Sequence, residues 1–300
     1  MRSDGAGVEN PQEGGEFAIE AMADRHLPEV LAALTGAFGP GFDETWFKWK
    51  HRQSPSGESP SWVAIDEAGV LGVRLLLPWT FQDGTTIVKA LRPCDTVTLP
   101  RARRRGVFQA LTDEATRSVT GSADLLFNTP NEKSRPGYFK MGFQVWTTVH
   151  QRVGPVLRSG ASLVTGASAL PPFIERTGLA TRSDPASLTW RYLSIPHRTY
   201  EIAALREADS PTGAIYRLRH WRGMRLLVMS ELWGSRSARR TLLRAIARKE
   251  HSSLVRAADD QRGASLFGLA GSSTLVTHKP LGTGSFSPPT LSIGDIEDVL

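Results

Sequence analysis

The sequence predicts an α+β (mixed α/β) fold: a mostly antiparallel central sheet flanked by helices, with the whole unit duplicated. Three observations carry this. Short apolar runs broken by tight turns alternate with only a few helical-period segments in the first half. One amphipathic helix, over 107–120, then separates two strands, as a crossover between sheet neighbours requires. Finally, landmarks of the first half recur in the second at the same spacing. Pro55 follows Trp49 by six residues and Pro196 follows Trp190 by six; Gly72 lies 23 after Trp49 and Gly213 lies 23 after Trp190.

The elements follow in order. Residues 1–15, rich in Gly, Asn, Pro and Glu, read as a disordered tail. A strand at 17–19 leads into a helix over 24–38, ended by Gly39-Pro40-Gly41. Strands at 62–65 and 70–77 form a hairpin through Glu67-Ala68-Gly69, and 86–91 and 95–99 read as a third and a fourth strand. In the helix 107–120, Phe108, Leu111, Ala115 and Val119 share one face. A buried strand at 125–127, a short helix at 134–141 and a strand at 143–153 complete a unit spanning 16–153. The Ser-, Gly-, Ala- and Pro-rich segment 154–185 reads as a linker with a helical turn near 171–177. A second unit covers 186–280, with strands at 200–203, 214–219 and 225–232 and a helix at 237–247. Residues 281–300 read as a loose tail.

Composition narrows the classes. The 300-residue chain is 40% hydrophobic and 22% charged, enough for a sizeable core. No run of 18 apolar residues predicts a membrane span, and the first residues lack a secretory apolar segment. A single cysteine, Cys94, excludes a disulfide framework and a multi-cysteine metal site. Together these favour a cytoplasmic protein. The formal charge of +6 permits an anionic partner: a nucleic acid, a membrane surface or a phosphate-rich cofactor.

The strongest chemical feature runs from Asp95 to Phe108: Asp-Thr-Val-Thr-Leu-Pro-Arg-Ala-Arg-Arg-Arg-Gly-Val-Phe. An extended segment ends at Pro100, then basic residues and a glycine open a helix. The unpaired N–H groups and positive dipole of a helix start, with arginines beside them, suit a pyrophosphate. A solvated basic turn is the plainer alternative. A single-strand nucleic-acid site is disfavoured, because no aromatics interleave with the arginines.

Arg103-Arg104-Arg105-Gly106-Val107-Phe108 resembles the acyl-CoA pyrophosphate loop of the GCN5-related N-acetyltransferases (GNAT), Gln/Arg-x-x-Gly-x-Gly/Ala; Arg103 and Gly106 are the fixed positions and Phe108 departs from the small last residue. Further on, Asn131, Ser134, Tyr138, Gly142 and Phe143 resemble that family's later motif, which ends Tyr-x-x-x-Gly-Phe. The resemblance covers residues 16–153 and implies a tandem form whose second unit, lacking both motifs, has lost cofactor binding. It implies a GNAT fold, acetyl-CoA as acyl donor, no metal, and an amine acceptor that attacks the thioester directly. The implied roles are Val97 and Leu99 along the pantetheine arm, Arg103, Arg104, Arg105, Gly106, Val107 and Phe108 around the pyrophosphate, and Asn131 and Ser134 beside the cofactor chain. Tyr138 is the implied acid for the departing thiolate. A thiol of pKa ~8.5 needs little such help, and amphipathic packing is the alternative for Tyr138. Asp95 is the candidate base, with Glu44 and Asp66 behind it; a strand-end aspartate is the alternative.

Other features weigh less. Trp46, Trp49, Lys50 and His51 could line an acceptor pocket, although tryptophans at such spacing are more often core. Cys94 has no histidine partner by pattern and reads as a small buried residue. Arg236, Arg240, Arg244 and Arg248 recur every four residues and make a basic stripe on one helix, a solvated face or a contact for an acidic partner. Two rival functions remain: a tRNA-dependent aminoacyl transferase of related fold, which the stripe favours, and a non-catalytic acyl-CoA-binding regulator, which Phe108 favours.

Overall fold

The computed structural model describes residues 17–258 and 270–297, so the expected tail at 1–15 lies outside the described residues. In chain order the first half runs β1 (Ala18–Ala21), α1 (Leu27–Phe38), α2 (Glu44–Phe47) with a π-helical turn Lys48–Arg52, β2 (Ser61–Asp66), β3 (Gly69–Asp83), β4 (Thr86–Thr98), α3 (Val107–Val119), β5 (Leu125–Asn128), α4 (Arg135–Lys140) and β6 (Gln144–Pro155). The second half runs β7 (Leu163–Thr165), β8 (Ala180–Thr181), α5 (Pro185–Leu188) with a π-helical turn Thr189–Leu193, β9 (Glu201–Leu205), β10 (Gly213–Trp221), β11 (Met224–Trp233), α6 (Arg236–Lys249), β12 (Leu254–Ala258), β13 (Ala270–Pro280) and α7 (Ile293–Glu297). All strands join one 13-stranded sheet, in the order β1-β2-β3-β4-β5-β13-β6-β12-β11-β10-β9-β7, with β8 added beside β3. Among the described strands, only β4 with β5 and β11 with β12 pair in parallel, each pair linked by a helix.

The repeat is visible in the architecture. The π-helical turns carry Trp49 and Trp190 against each other, ring centroids 5.0 Å apart and nearly parallel. Each indole Nε1 donates to the backbone carbonyl of the other tryptophan at 2.8 Å, a reciprocal pair with two-fold character. Gly72 and Gly213 both sit where the backbone is crowded, one against the following strand and the other against the preceding one. A Cβ on Gly72 would lie 2.8 Å from the Val97 carbonyl oxygen, and one on Gly213 would lie 2.9 Å from that of Ala203. The two halves also exchange their last strands: β6 pairs with β12 and β13, and β13 pairs with β5 and β6.

Three expectations are corrected. The third and fourth strands are one strand, β4, running through Pro93. β5 leaves β4 after the pair Leu91–Leu126, so a residue without an N–H is tolerated just beyond. The linker is a packed strap and has no helix at 171–177: β8 pairs with Phe81 and Gln82, and Ile174 and Leu179 are buried. The expected loose tail carries α7, whose Ile293 and Ile296 join the main core and whose Asp295 is 1% exposed.

Candidate active site

The gap between β4 and β5 organises the site. The two strands pair only at Ala90–Leu125 and Leu91–Leu126. Beyond that point β4 keeps β3 as its neighbour up to Thr98, with a register shift opposite Arg74 where Asp95 takes φ 45°. Leu99 N–H donates to the Leu71 carbonyl at 2.8 Å. Alternation along the ladder turns the Val97 backbone toward β3 as well, while that of Thr98 faces the gap. This corrects the expectation for Val97 and Leu99: their side chains pack toward α1 and their backbones are engaged. Thr98 is the residue whose backbone faces the gap, and its buried Oγ1 has no partner.

Past β4, a 3₁₀ turn at Pro100–Ala102 and two left-handed residues, Arg104 at φ 66° and Gly106 at φ 76°, bring the chain to the start of α3. No side chain caps this helix. Its first backbone bond runs from Ala110 N–H to the Gly106 carbonyl, so Val107, Phe108 and Gln109 present unpaired N–H groups. The four arginines divide by role. Arg101 grips both Asp66 oxygens, at 3.0 and 3.1 Å, and the carbonyls of Ala68 and Val70; Arg105 reaches Asp66 at 3.4 Å. They fasten the loop to the β2–β3 turn, and the Arg101 hydrogen bond, ahead of other causes, holds the Asp66 carboxyl below its ordinary range. Arg103 and Arg104 are exposed, with no side-chain bond to the described residues.

On the α3–α4 side of the gap, Phe108 lies edge-on to Tyr138, centroids 5.7 Å apart. The Tyr138 hydroxyl accepts from Arg74 at 2.8 Å, leaving its own proton free to point elsewhere. Asn131 closes the turn before α4, its Oδ1 accepting from Lys133 and Ser134 N–H at 3.1 and 2.9 Å, and Ser134 is the N-cap residue, so both motif residues stand at the helix entrance.

Asp95 lies on the other face, and its setting argues against a base. Lys50 Nζ reaches one carboxylate oxygen at 2.9 Å and the other at 2.8 Å, and His51 Nε2 stands 3.0 Å from the second. Burial alone would raise this carboxyl, but Lys50 and then His51 outweigh it and hold it far below the usual range. With Nε2–H donating to Asp95, the neutral His51 accepts from Ser59 Oγ at 2.9 Å through Nδ1. The connectivity is that of a hydrolytic triad, yet Lys50 occupies both Asp95 oxygens. The second half repeats the pairing: Arg191 and the Tyr192 hydroxyl lie 3.5 and 2.7 Å from Glu231 on β11, and Ser292 Oγ donates to the same carboxylate at 3.0 Å. We read it as a clamp tying each π-helical turn to its strand. Burial pushes the Cys94 thiol up to about 11, which removes it as a nucleophile. Glu44 pairs with Lys48 on the surface.

A pH dependence follows. Burial, ahead of the opposing pull of Asp95, lowers the His51 pKa below 6.5. The folded chain therefore binds fewer protons here than the unfolded chain at acidic pH. Its stability is whole above about 6.5 and falls as pH drops from there toward the folded value. Urea midpoints measured at pH 7.5 and 5.5 should differ by less in His51→Asn than in the wild type; equal differences would reject this.

Sequence reasoning missed Arg74, Arg92, Glu231 and Asp295. Arg74 had a signal: it is the one charge in the apolar run 70–77. The second half has no counterpart of the arginine loop. Gly234 and Ser235 alone join β11 to α6, and Ser235 Oγ caps the helix by accepting from Ala238 N–H at 3.3 Å. Arg236, Arg240, Arg244 and Arg248 are all exposed. No helix among the described residues is long and apolar enough to cross a membrane.

Residues 18–146 match the family described as "Acetyltransferase (GNAT) domain". No curated protein matches the chain in sequence. Among solved structures, a GCN5-related N-acetyltransferase from Anabaena variabilis is similar at 13% identity and TM-score 0.67, over 89% of this chain and 73% of that one. A GCN5-related N-acetyltransferase from Kribbella flavida is similar at 15% identity and TM-score 0.67, over 89% and 72%. A tandem GNAT protein from the clavulanic acid biosynthesis pathway matches at 16% identity and TM-score 0.54, over 90% of this chain and 100% of that one. Residues 18–146 thus resemble a GNAT domain in sequence, and the chain has the GNAT fold.

Proposed function

We propose that this GNAT-fold acyltransferase moves an acyl group, acetyl as the default, from a CoA thioester to an amine by direct attack. The observation that carries the reading is the uncapped start of α3, flanked by the exposed Arg103 and Arg104 and placed where β4 loses β5 as a neighbour. The N–H groups of Val107 and Phe108 and the two arginines would hold the pyrophosphate. The gap-facing backbone and orphaned hydroxyl of Thr98 would hold the pantetheine arm like an added strand. Thioester and amine would meet near the Asp95 bulge, and attack would form the amide bond as the carbon–sulfur bond breaks. Tyr138 would hand its free proton to the departing sulfur. With Asp95 held by Lys50, the amine would arrive neutral, and the proton its nitrogen sheds on forming the amide would pass to water, from which Tyr138 regains the proton it gave to sulfur.

The test is thiol release from acetyl-CoA across a panel of amines, for the wild type and Tyr138→Phe. The variant should lose roughly 100-fold or less in kcat with KM little changed, because the acid acts only in the transition state. A variant as fast as the wild type would remove Tyr138 from the chemistry. The exposed stripe of Arg236, Arg240, Arg244 and Arg248 favours a second reading, aminoacyl transfer from tRNA. Its signature would be tRNA binding that weakens steeply with salt.

A further inference from the structure

We propose that the acyl group is itself anionic, a dicarboxylic acyl thioester of the malonyl or succinyl kind, and that Arg74 receives its free carboxylate. The inference rests on acyl-CoA lying in the gap between β4 and β5.

Arg74 rises from the middle of β3 and is 0% exposed. Its guanidinium donates to the hydroxyls of Thr96 at 3.0 Å, Tyr138 at 2.8 Å and Thr112. The Phe108 ring covers it, with its centre 4.7 Å away. Its Nε has no acceptor. Every partner is neutral: among the described residues no carboxylate lies within ion-pair distance. The contrast with other buried cations is direct. Lys50 holds Asp95, and Arg191 holds Asp295 at 2.8 Å. Arg92, on the opposite face, donates to the Asp295 backbone carbonyl and to Thr129, with the charges of Asp295 and Asp95 nearby.

A guanidinium removed from water with only hydroxyls around it is strongly disfavoured until an anion joins it. The place of this one decides which anion. It bonds the same hydroxyl that would protonate the leaving sulfur, and Thr96 lies in the β4 bulge where the thioester would sit. An acetyl group brings no charge to that point. A carboxylate a few bonds beyond the thioester carbon does, and a planar guanidinium suits it better than an ammonium because it can offer paired donors. The phosphates are held elsewhere, by the loop at the start of α3.

The test needs no knowledge of the acceptor. Calorimetric titration with CoA, acetyl-CoA, malonyl-CoA and succinyl-CoA would be run on the wild type, Arg74→Met and Arg74→Lys. The wild type should bind at least one carboxylated ester about tenfold more tightly than acetyl-CoA. Arg74→Met should lose that preference while keeping its affinity for CoA, and Arg74→Lys should retain part of it. Acetyl-CoA bound as tightly as both carboxylated esters by the wild type would overturn the inference and leave the acyltransferase reading standing. So would a preference that survives Arg74→Met. Should Arg74→Met fail to fold, the wild-type ratio and Arg74→Lys decide. Failure of CoA and all three esters to bind the folded wild type would defeat both readings.

Discussion

Replacing Gly106 by glutamate is expected to abolish acetyl-CoA binding while leaving the fold in place. A Cβ at Gly106 would meet no atom within 4 Å, so the side chain has room. The left-handed backbone, φ 76°, makes any larger residue strained by about 1–2 kcal/mol, which a core of this size tolerates. The new carboxylate would sit at the uncapped start of α3, where the dipole and the unpaired N–H groups favour a negative charge. It would thus occupy the pyrophosphate position from within and repel the incoming phosphates. Calorimetry should show affinity weakened by about 100-fold or more, with near-native circular dichroism. Wild-type affinity in the folded variant would move the cofactor away from this loop. Gly106→Ala separates the two effects: it carries the backbone strain without the charge, and it should lose far less affinity.

How much of this was legible depends on how local each feature is. The helix at Val107–Val119, the hairpin of β2 and β3 and the arginine-to-glycine loop all arise from neighbours within a few residues, and the sequence spells them out. So do the repeat landmarks: Trp49 and Trp190 prove to be reciprocal partners, and Gly72 and Gly213 each lie where a neighbouring strand leaves little room for a side chain. What could not be read is non-local. The exchange of β6 and β13 joins residues more than a hundred apart, such as Val149 and Thr274, and no periodicity encodes a partner at that distance. Asp295 sits in a five-residue helix too short to show a repeat, yet it pairs with Arg191 and Arg176, more than a hundred residues upstream. Asp95 was singled out for its place beside the loop. Its meaning changed because Lys50 and His51, 45 and 44 residues upstream, fold onto it.

Asp95 therefore allows two chemistries to be separated by one substitution series. A general base could be exchanged for asparagine or alanine with loss of turnover and little loss of stability. A clamp behaves the other way. Asp95→Ala would leave the Lys50 ammonium, 0% exposed, without a counter-ion, and would release His51. Breaking one side of a buried pair costs about 3–5 kcal/mol, whereas exchanging both partners for apolar groups of similar volume is often neutral. Urea unfolding should accordingly show Asp95→Ala destabilised by about 3–5 kcal/mol, and Lys50→Met combined with Asp95→Leu should recover most of that loss. The double variant then carries the decision. Retained acyl transfer by a protein lacking the Asp95 carboxylate would exclude it as the base and fix its role as the anchor of the π-helical turn. A stable double variant without turnover, but with normal acetyl-CoA binding, would return Asp95 to the chemistry. The second half offers an internal control: Glu231 and Arg191 repeat the pairing far from the arginine loop, so Glu231→Ala should destabilise the fold and leave acyl-CoA affinity unchanged wherever the protein remains folded.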